Sequence, residues 1–231
     1  MIKVLVSGEG KTDMGELNYP DTDPANFNKG HKTCLAEQII KQRTGEFPHI
    51  ELIAKTTLTQ KAKSSHRMKL PGKKSRQKTA FFYKNAYILG KIALEKQYDI
   101  AILFRDTDGT QSSSPSNWKE RTDSIHDGFK ASDFQNGVAM VPKPTSEAWI
   151  LCCLQKYQNC EKLEKLRGNE NSSKHPKKII EQITGSVPTM EFLVKIACED
   201  NCDTEQIDMP SFNAFKTCLE KITTEIENKQ G

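Results

Sequence analysis

Four short apolar, β-branched runs, IKVLVS at 2–7, HIELIA at 49–54, DIAILF at 99–104 and GVAMVP at 137–142, alternate with stretches whose apolar residues recur at helical spacing. Helix is expected over 31–43, where Leu35, Ile39 and Ile40 fall on one side, over 77–96, over 118–131, and again from Thr145 or Ser146 onward. Strand and helix in strict alternation predict an α/β fold: a mostly parallel four-stranded sheet with helices on both faces. The third run is apolar through its middle, as a strand buried on both faces must be. Between 13 and 30 the chain reads as a polar, Pro-containing loop. Beyond about residue 160 no strand is expected, and helices over 177–183, 189–198 and 211–227 are read as a C-terminal helical extension. The expected division is 1–157 for the α/β domain and 158–231 for the extension.

A chain of 231 residues is long enough to bury a core, and its 35% of hydrophobic residues suffices. No run approaches the length of a membrane span, and the opening MIKVLVSGEG reads as a strand and a glycine turn rather than a signal sequence. A soluble, cytoplasmic protein with no membrane partner is expected. Seven cysteines without a C-x-x-C pair give a poor zinc set, although Cys198 and Cys202 lie one helical turn apart. Buried, reduced thiols are the expectation.

The net charge of +4 is unevenly spread. From Lys55 to Lys84 ten basic residues (Lys55, Lys61, Lys63, Arg67, Lys69, Lys73, Lys74, Arg76, Lys78, Lys84) occur with no Asp or Glu. A run of like charge is commonly just a solvated loop, and 55–79 is read as a basic loop. Such a block also attracts a polyanion, because neutralised phosphates release counterions whatever the base sequence. Nucleic acid is the expected partner, with Lys11, Lys61, Lys63, Arg67, Lys69, Lys73, Lys74, Arg76 and Lys78 as its contacts.

Two of the apolar runs end in acids: Glu9 in VSGEGKTD, and Asp106 and Asp108 in LFRDTDG. In an open α/β sheet strand ends border the crevice where ligands bind, and a D-x-D pair leans to one side. Three carboxylates so placed could converge on one hard cation such as Mg²⁺. A lone Asp at such a place is as often the N-cap of the next helix. The turn GEGKT imitates a phosphate-binding P-loop, but the position that should carry its first glycine is Leu5, inside the strand.

These elements resemble the TOPRIM domain of topoisomerases, bacterial primases and OLD-family nucleases, in which a first strand ends in Glu-Gly and a later strand ends in D-x-D. The stretch VPKPTSEAWIL is similar to a further element of small stand-alone TOPRIM-like proteins, many encoded beside phage-defence genes. The resemblance covers about residues 1–157 and implies a Rossmann-like TOPRIM fold. It also implies that Asp106 and Asp108 bind metal and that Glu9 acts as general acid or base close to it. Glu147, at a helix start where the dipole favours an anion, is either a further ligand or a structural first-turn acid. Lys11 and Lys143 are placed to meet the scissile phosphate, and Asp13 is read as a helper or loop cap. The chain lacks the tyrosine and gate domains of a topoisomerase, the zinc domain of a primase and the ATPase of an OLD protein.

The expected function is therefore a Mg²⁺-dependent nuclease, with Mn²⁺ able to substitute, cleaving DNA or RNA. It would serve as an anti-phage effector working with a separately encoded ATPase. Its catalytic residues would be Glu9, Asp106, Asp108 and Lys143, and its metal ligands Glu9, Asp106, Asp108 and Glu147. The alternatives are a nucleic-acid- or partner-binding regulatory module with a vestigial metal site, and a small-molecule phosphotransferase or phosphatase.

Overall fold

A computed structural model describes residues 1–18, 23–64, 80–107, 115–199 and 202–230. In chain order the first half runs β1 (Lys3–Ser7), α1 (Lys11–Met14), β2 (Gly15–Leu17), β3 (Phe27–Lys29), α2 (His31–Thr44), β4 (His49–Leu52), α3 (Lys55–Ser64) and α4 (Ala80–Glu95). The second half runs β5 (Ile100–Phe104), α5 (Pro115–Ala131), β6 (Gly137–Met140), α6 (Glu147–Leu154), α7 (Cys160–Leu163), α8 (Pro176–Thr184), α9 (Met190–Val194), a π-helical turn (Lys195–Glu199) and α10 (Pro210–Gln230). Strands β4, β1, β5 and β6 pair in that order, all parallel, as the strand and helix alternation predicts.

Period-two side-chain alternation divides the sheet into two buried faces. Val4, Val6, Ile102 and Phe104 point toward a core shared with α2, α6 and α10. Leu5, Ala101, Leu103 and Ala139 point the other way, toward α4 and α5. The chain leaves β1 to form α2 on the first face, and leaves neighbouring β5 to form α5 on the second. Between the carboxyl ends of β1 and β5 the sheet thus has a switch point, the place where open α/β sheets leave a crevice for ligands. Gly8 lets the turn out of β1 pass close to β5: a Cβ there would lie 2.7 Å from Met14 Cγ and 2.8 Å from Phe104 Cβ.

The C-terminal helices join this core. Phe212, Phe215 and Leu219 of α10 pack in the same apolar cluster as the sheet. Trp149 of α6 stacks on Phe215 (centroids 6.0 Å apart, planes at 13°), meets Phe212 edge-on at 5.1 Å, and its indole N–H donates to Ser211 Oγ at 3.1 Å. Residues on both sides of the expected boundary after residue 157 share this cluster.

Three expectations change. The loop foreseen over 13–30 holds a short antiparallel ribbon, β2 with β3, too brief for periodicity to reveal. The first ten residues of the basic loop are helix α3; residues 65–79 lie outside the described residues. The thiols are not reduced: Cys34–Cys198, Cys152–Cys160 and Cys153–Cys202 are disulfides, and Cys218 is free. Partners 164, 8 and 49 residues apart carry no sequence signature, because folding alone brings them together. Among the described residues no helix is long and apolar enough to cross a membrane.

Candidate active site at the carboxyl edge of the sheet

On the α2 side of the switch point the acids gather about a buried lysine. Lys32 opens α2 and is fully buried. Its Nζ lies 2.7 Å from Asp13 Oδ1 and 3.7 Å from Asp106 Oδ2, and 3.0 Å from the centroid of the Phe104 ring. The contact with Asp13 falls outside hydrogen-bond angles, so it is an ion pair rather than a directed bond. Asp13 is held in place through its neighbour: the Thr33 hydroxyl donates to the Met14 carbonyl at 2.6 Å, and the Gly30 N–H donates to the same oxygen at 3.1 Å. Gly30 has to lack a side chain, since a Cβ would sit 2.2 Å from the Asp13 carbonyl oxygen.

A polar chain continues from Asp13 to α6. Ser146 Oγ lies 3.4 Å from Asp13 Oδ1 and 2.9 Å from Nε2 of the buried His31. Glu147 follows as the first residue of α6 and is partly buried. Burial pushes its carboxyl up, but the charges of Lys32 and His31, helped by the Thr145 hydroxyl and its own N–H, outweigh this and hold it below the usual carboxylate range. Asp106 is fixed through its backbone, because Arg121 donates to its carbonyl at 2.5 Å. The next residue, Thr107, places its hydroxyl 2.9 Å from the Pro142 carbonyl and 2.8 Å from that of Pro144, tying the end of β5 to the cis Lys143–Pro144 turn after β6.

Across the switch point, Glu9 meets cations instead. Its Oε1 lies 2.7 Å from Lys55 Nζ and 3.6 Å from Arg105 Nη1, and its side chain is 30% exposed. Arg105 lies one residue before Asp106 and projects to the opposite side of the chain. It is fully buried, its guanidinium 5.1 Å from the Phe81 ring, and none of its three side-chain nitrogens has a hydrogen-bond partner among the described residues. Burial lowers its pKa to about 10 while Glu9 pulls it upward, so it stays charged at neutral pH.

The residues expected from sequence are thus distributed as follows. Asp106 and Glu147 share the surroundings of Lys32, whereas Glu9 stands with Lys55 and Arg105. Lys143 forms an ion pair with Glu164 of the C-terminal extension at 3.6 Å. Lys11 and Lys63 lie in α1 and α3, and Lys61 is exposed on α3. Asp108, Arg67, Lys69, Lys73, Lys74, Arg76 and Lys78 lie outside the described residues. Asp13, expected as a helper or loop cap, stands beside Lys32 and Ser146, and the sequence alone does not single out Lys32, His31, Ser146 or Arg105. One signal was available for Lys32. A first helical turn opening His-Lys with no acid opposes the helix dipole, and such a placement needs carboxylates close by.

Oxygen donors of this kind suit Mg²⁺, yet among the described residues no three of Asp, Glu, His and Cys form a group that could hold a metal. Asp13 and Asp106 face an ammonium group, and Glu9 faces two cations. The described donors alone therefore do not fit a metal site. No family model matches the chain, and no curated protein or solved structure matches it. What the fold and edge define is an α/β protein with charged side chains gathered at the switch point of a four-stranded parallel sheet.

Proposed function

We propose that this protein hydrolyses phosphodiester bonds of nucleic acid in the crevice between β1 and β5. One observation carries the proposal: Glu9, partly exposed at the switch point, stands beside two cations, one of them a buried guanidinium whose hydrogen-bond donors are unused among the described residues. Glu9 takes the proton from the attacking water and passes it to the departing oxygen, Lys55 holds the phosphate oxygens on which charge develops, and the charge of the buried Arg105 acts on them from behind. Mg²⁺ is the ion to supply in the assay, since every candidate acid is a hard oxygen donor. The basic stretch after α3 would add affinity without base choice. On the resemblance to stand-alone TOPRIM-like proteins, the setting is anti-phage defence in the cytoplasm beside a separate ATPase. Cytosolic thiols are normally kept reduced, so assays belong both with and without reductant.

The test is incubation with single-stranded DNA, duplex DNA and RNA in Mg²⁺, Mn²⁺ or EDTA. Glu9→Gln keeps the shape and loses the proton acceptor, so turnover should fall on the order of 10²-fold or more while nucleic-acid binding persists. Salt-dependent binding without cleavage would replace the proposal with a regulatory module, a reading that draws on Lys32 standing where an ion would. Turnover of mononucleotides alone would make it a phosphatase.

A further inference from the structure

We infer that Lys32 is the resident cation of the acidic half of the edge, occupying the place between Asp13 and Asp106 that a divalent ion would otherwise take. This follows from the geometry and does not depend on nuclease activity. Three carboxylates, Asp13, Asp106 and Glu147, come under the influence of one ammonium, which is sealed from water and closed off by the face of Phe104. Like charges this close repel unless a positive charge stands among them. A lysine there supplies that charge permanently, whatever the metal supply, and leaves the Glu9 half as the place for any exchangeable ion or phosphate. The ring packed against Nζ also explains why a lysine is tolerated in so dry a place: a cation over an aromatic face recovers part of its lost hydration.

Removing the ammonium should therefore create a divalent-ion site. Lys32→Met keeps the volume and leaves the acids uncompensated, so its melting temperature in EDTA should fall well below that of the native chain. Adding MnCl₂ at about a hundredfold over its Kd should raise it by on the order of 5–10 °C more than the native chain or Lys32→Arg rises under the same conditions. Asp13→Asn with Lys32→Met removes one ligand and one charge together, and should recover stability in EDTA and lose the extra response to Mn²⁺. If Lys32→Met folds in neither buffer, the double variant decides: recovery supports the resident cation and failure to recover overturns it. A single variant as stable as the native chain, or one with no additional Mn²⁺ response, overturns it outright.

Discussion

The two sides of β5 handle charge in opposite ways, although the residues that set them, Arg105 and Asp106, are neighbours in sequence. On the α2 side three carboxylates share one ammonium, with His31 beside them. On the α3 and α4 side one carboxylate faces two cations. The first half is rich in negative charge and already holds a cation; the second is rich in positive charge, and its Arg105 guanidinium has no hydrogen-bond partner among the described residues. Strand alternation makes this separation, since consecutive side chains leave a strand toward opposite faces. A nucleic-acid phosphate is therefore expected on the Glu9 side, with the acidic side acting as scaffold and field.

The contrast is broken most severely at Arg105. Arg105→Met leaves a buried apolar side chain of comparable length, and turnover should fall on the order of 10²–10³-fold if the guanidinium holds the developing phosphate charge. Stability should stay level or rise, because a buried cation with no hydrogen-bond partner among the described residues is replaced by an apolar side chain that needs none. Thermal unfolding together with single-turnover rates checks both. A large loss of stability with an unchanged rate would make Arg105 a structural residue and shift the phosphate site elsewhere.

A smaller effect is expected on the acidic side. Glu147→Gln removes a charge that Lys32 and His31 hold ionised, so the native state should lose roughly 1–3 kcal/mol at neutral pH, the usual range for a partly buried charged interaction. Burial and the neighbouring Lys32 and His31 act in opposite directions on this carboxyl, and the neighbours prevail. Its stabilisation is therefore present above its ordinary pKa of 4.5 and is lost as pH falls through its lower folded value. Denaturant unfolding at pH 7 and pH 3.5 should show the variant's deficit shrinking at the acid end. A deficit independent of pH would mean that packing, not charge, is what glutamine disturbs.

Why was only part of this edge legible beforehand? The sheet was, because four apolar runs separated by helical spacing leave few other arrangements, and the observed strands β1, β4, β5 and β6 fall on those runs. Glu9 and Asp106 were, because they sit where those runs stop. Lys32 and Arg105 were not, since a single basic residue looks solvated until the fold shows what surrounds it. Arg105 carries a signal in retrospect: it interrupts LFRD between a buried Phe104 and an acid, a place where a surface lysine or arginine has no route to water. The ribbon of β2 and β3 and the disulfides depend on contacts that local pattern does not encode. The basic stretch gave the reverse lesson, for charge density suggested a loop over 55–64 where helix α3 forms.

The mildest test concerns His175, which lies within the field of Glu147 and caps α8, its Nδ1 accepting from the Lys177 N–H at 3.1 Å. Burial holds its pKa below the ordinary 6.5, against the pull of Glu147 and Glu170 and aided by Lys177 and Lys178. The unfolded chain then binds a proton more readily than the native state, so stability is lost as pH drops below 6.5. Protonation also removes the acceptor that caps the helix. His126, likewise lowered by burial, contributes a loss of the same sign. His175→Asn keeps a capping oxygen and abolishes the titration, and caps of this kind differ by only about 0.5 kcal/mol, so the variant should match the native chain at pH 8. Between pH 8 and pH 5.5 its melting temperature should fall less, with His126 supplying the remainder. An undiminished fall would assign the whole acid sensitivity to His126 and the carboxylates, and would mean that the pull of Glu147 and Glu170 cancels the effect of burial on His175.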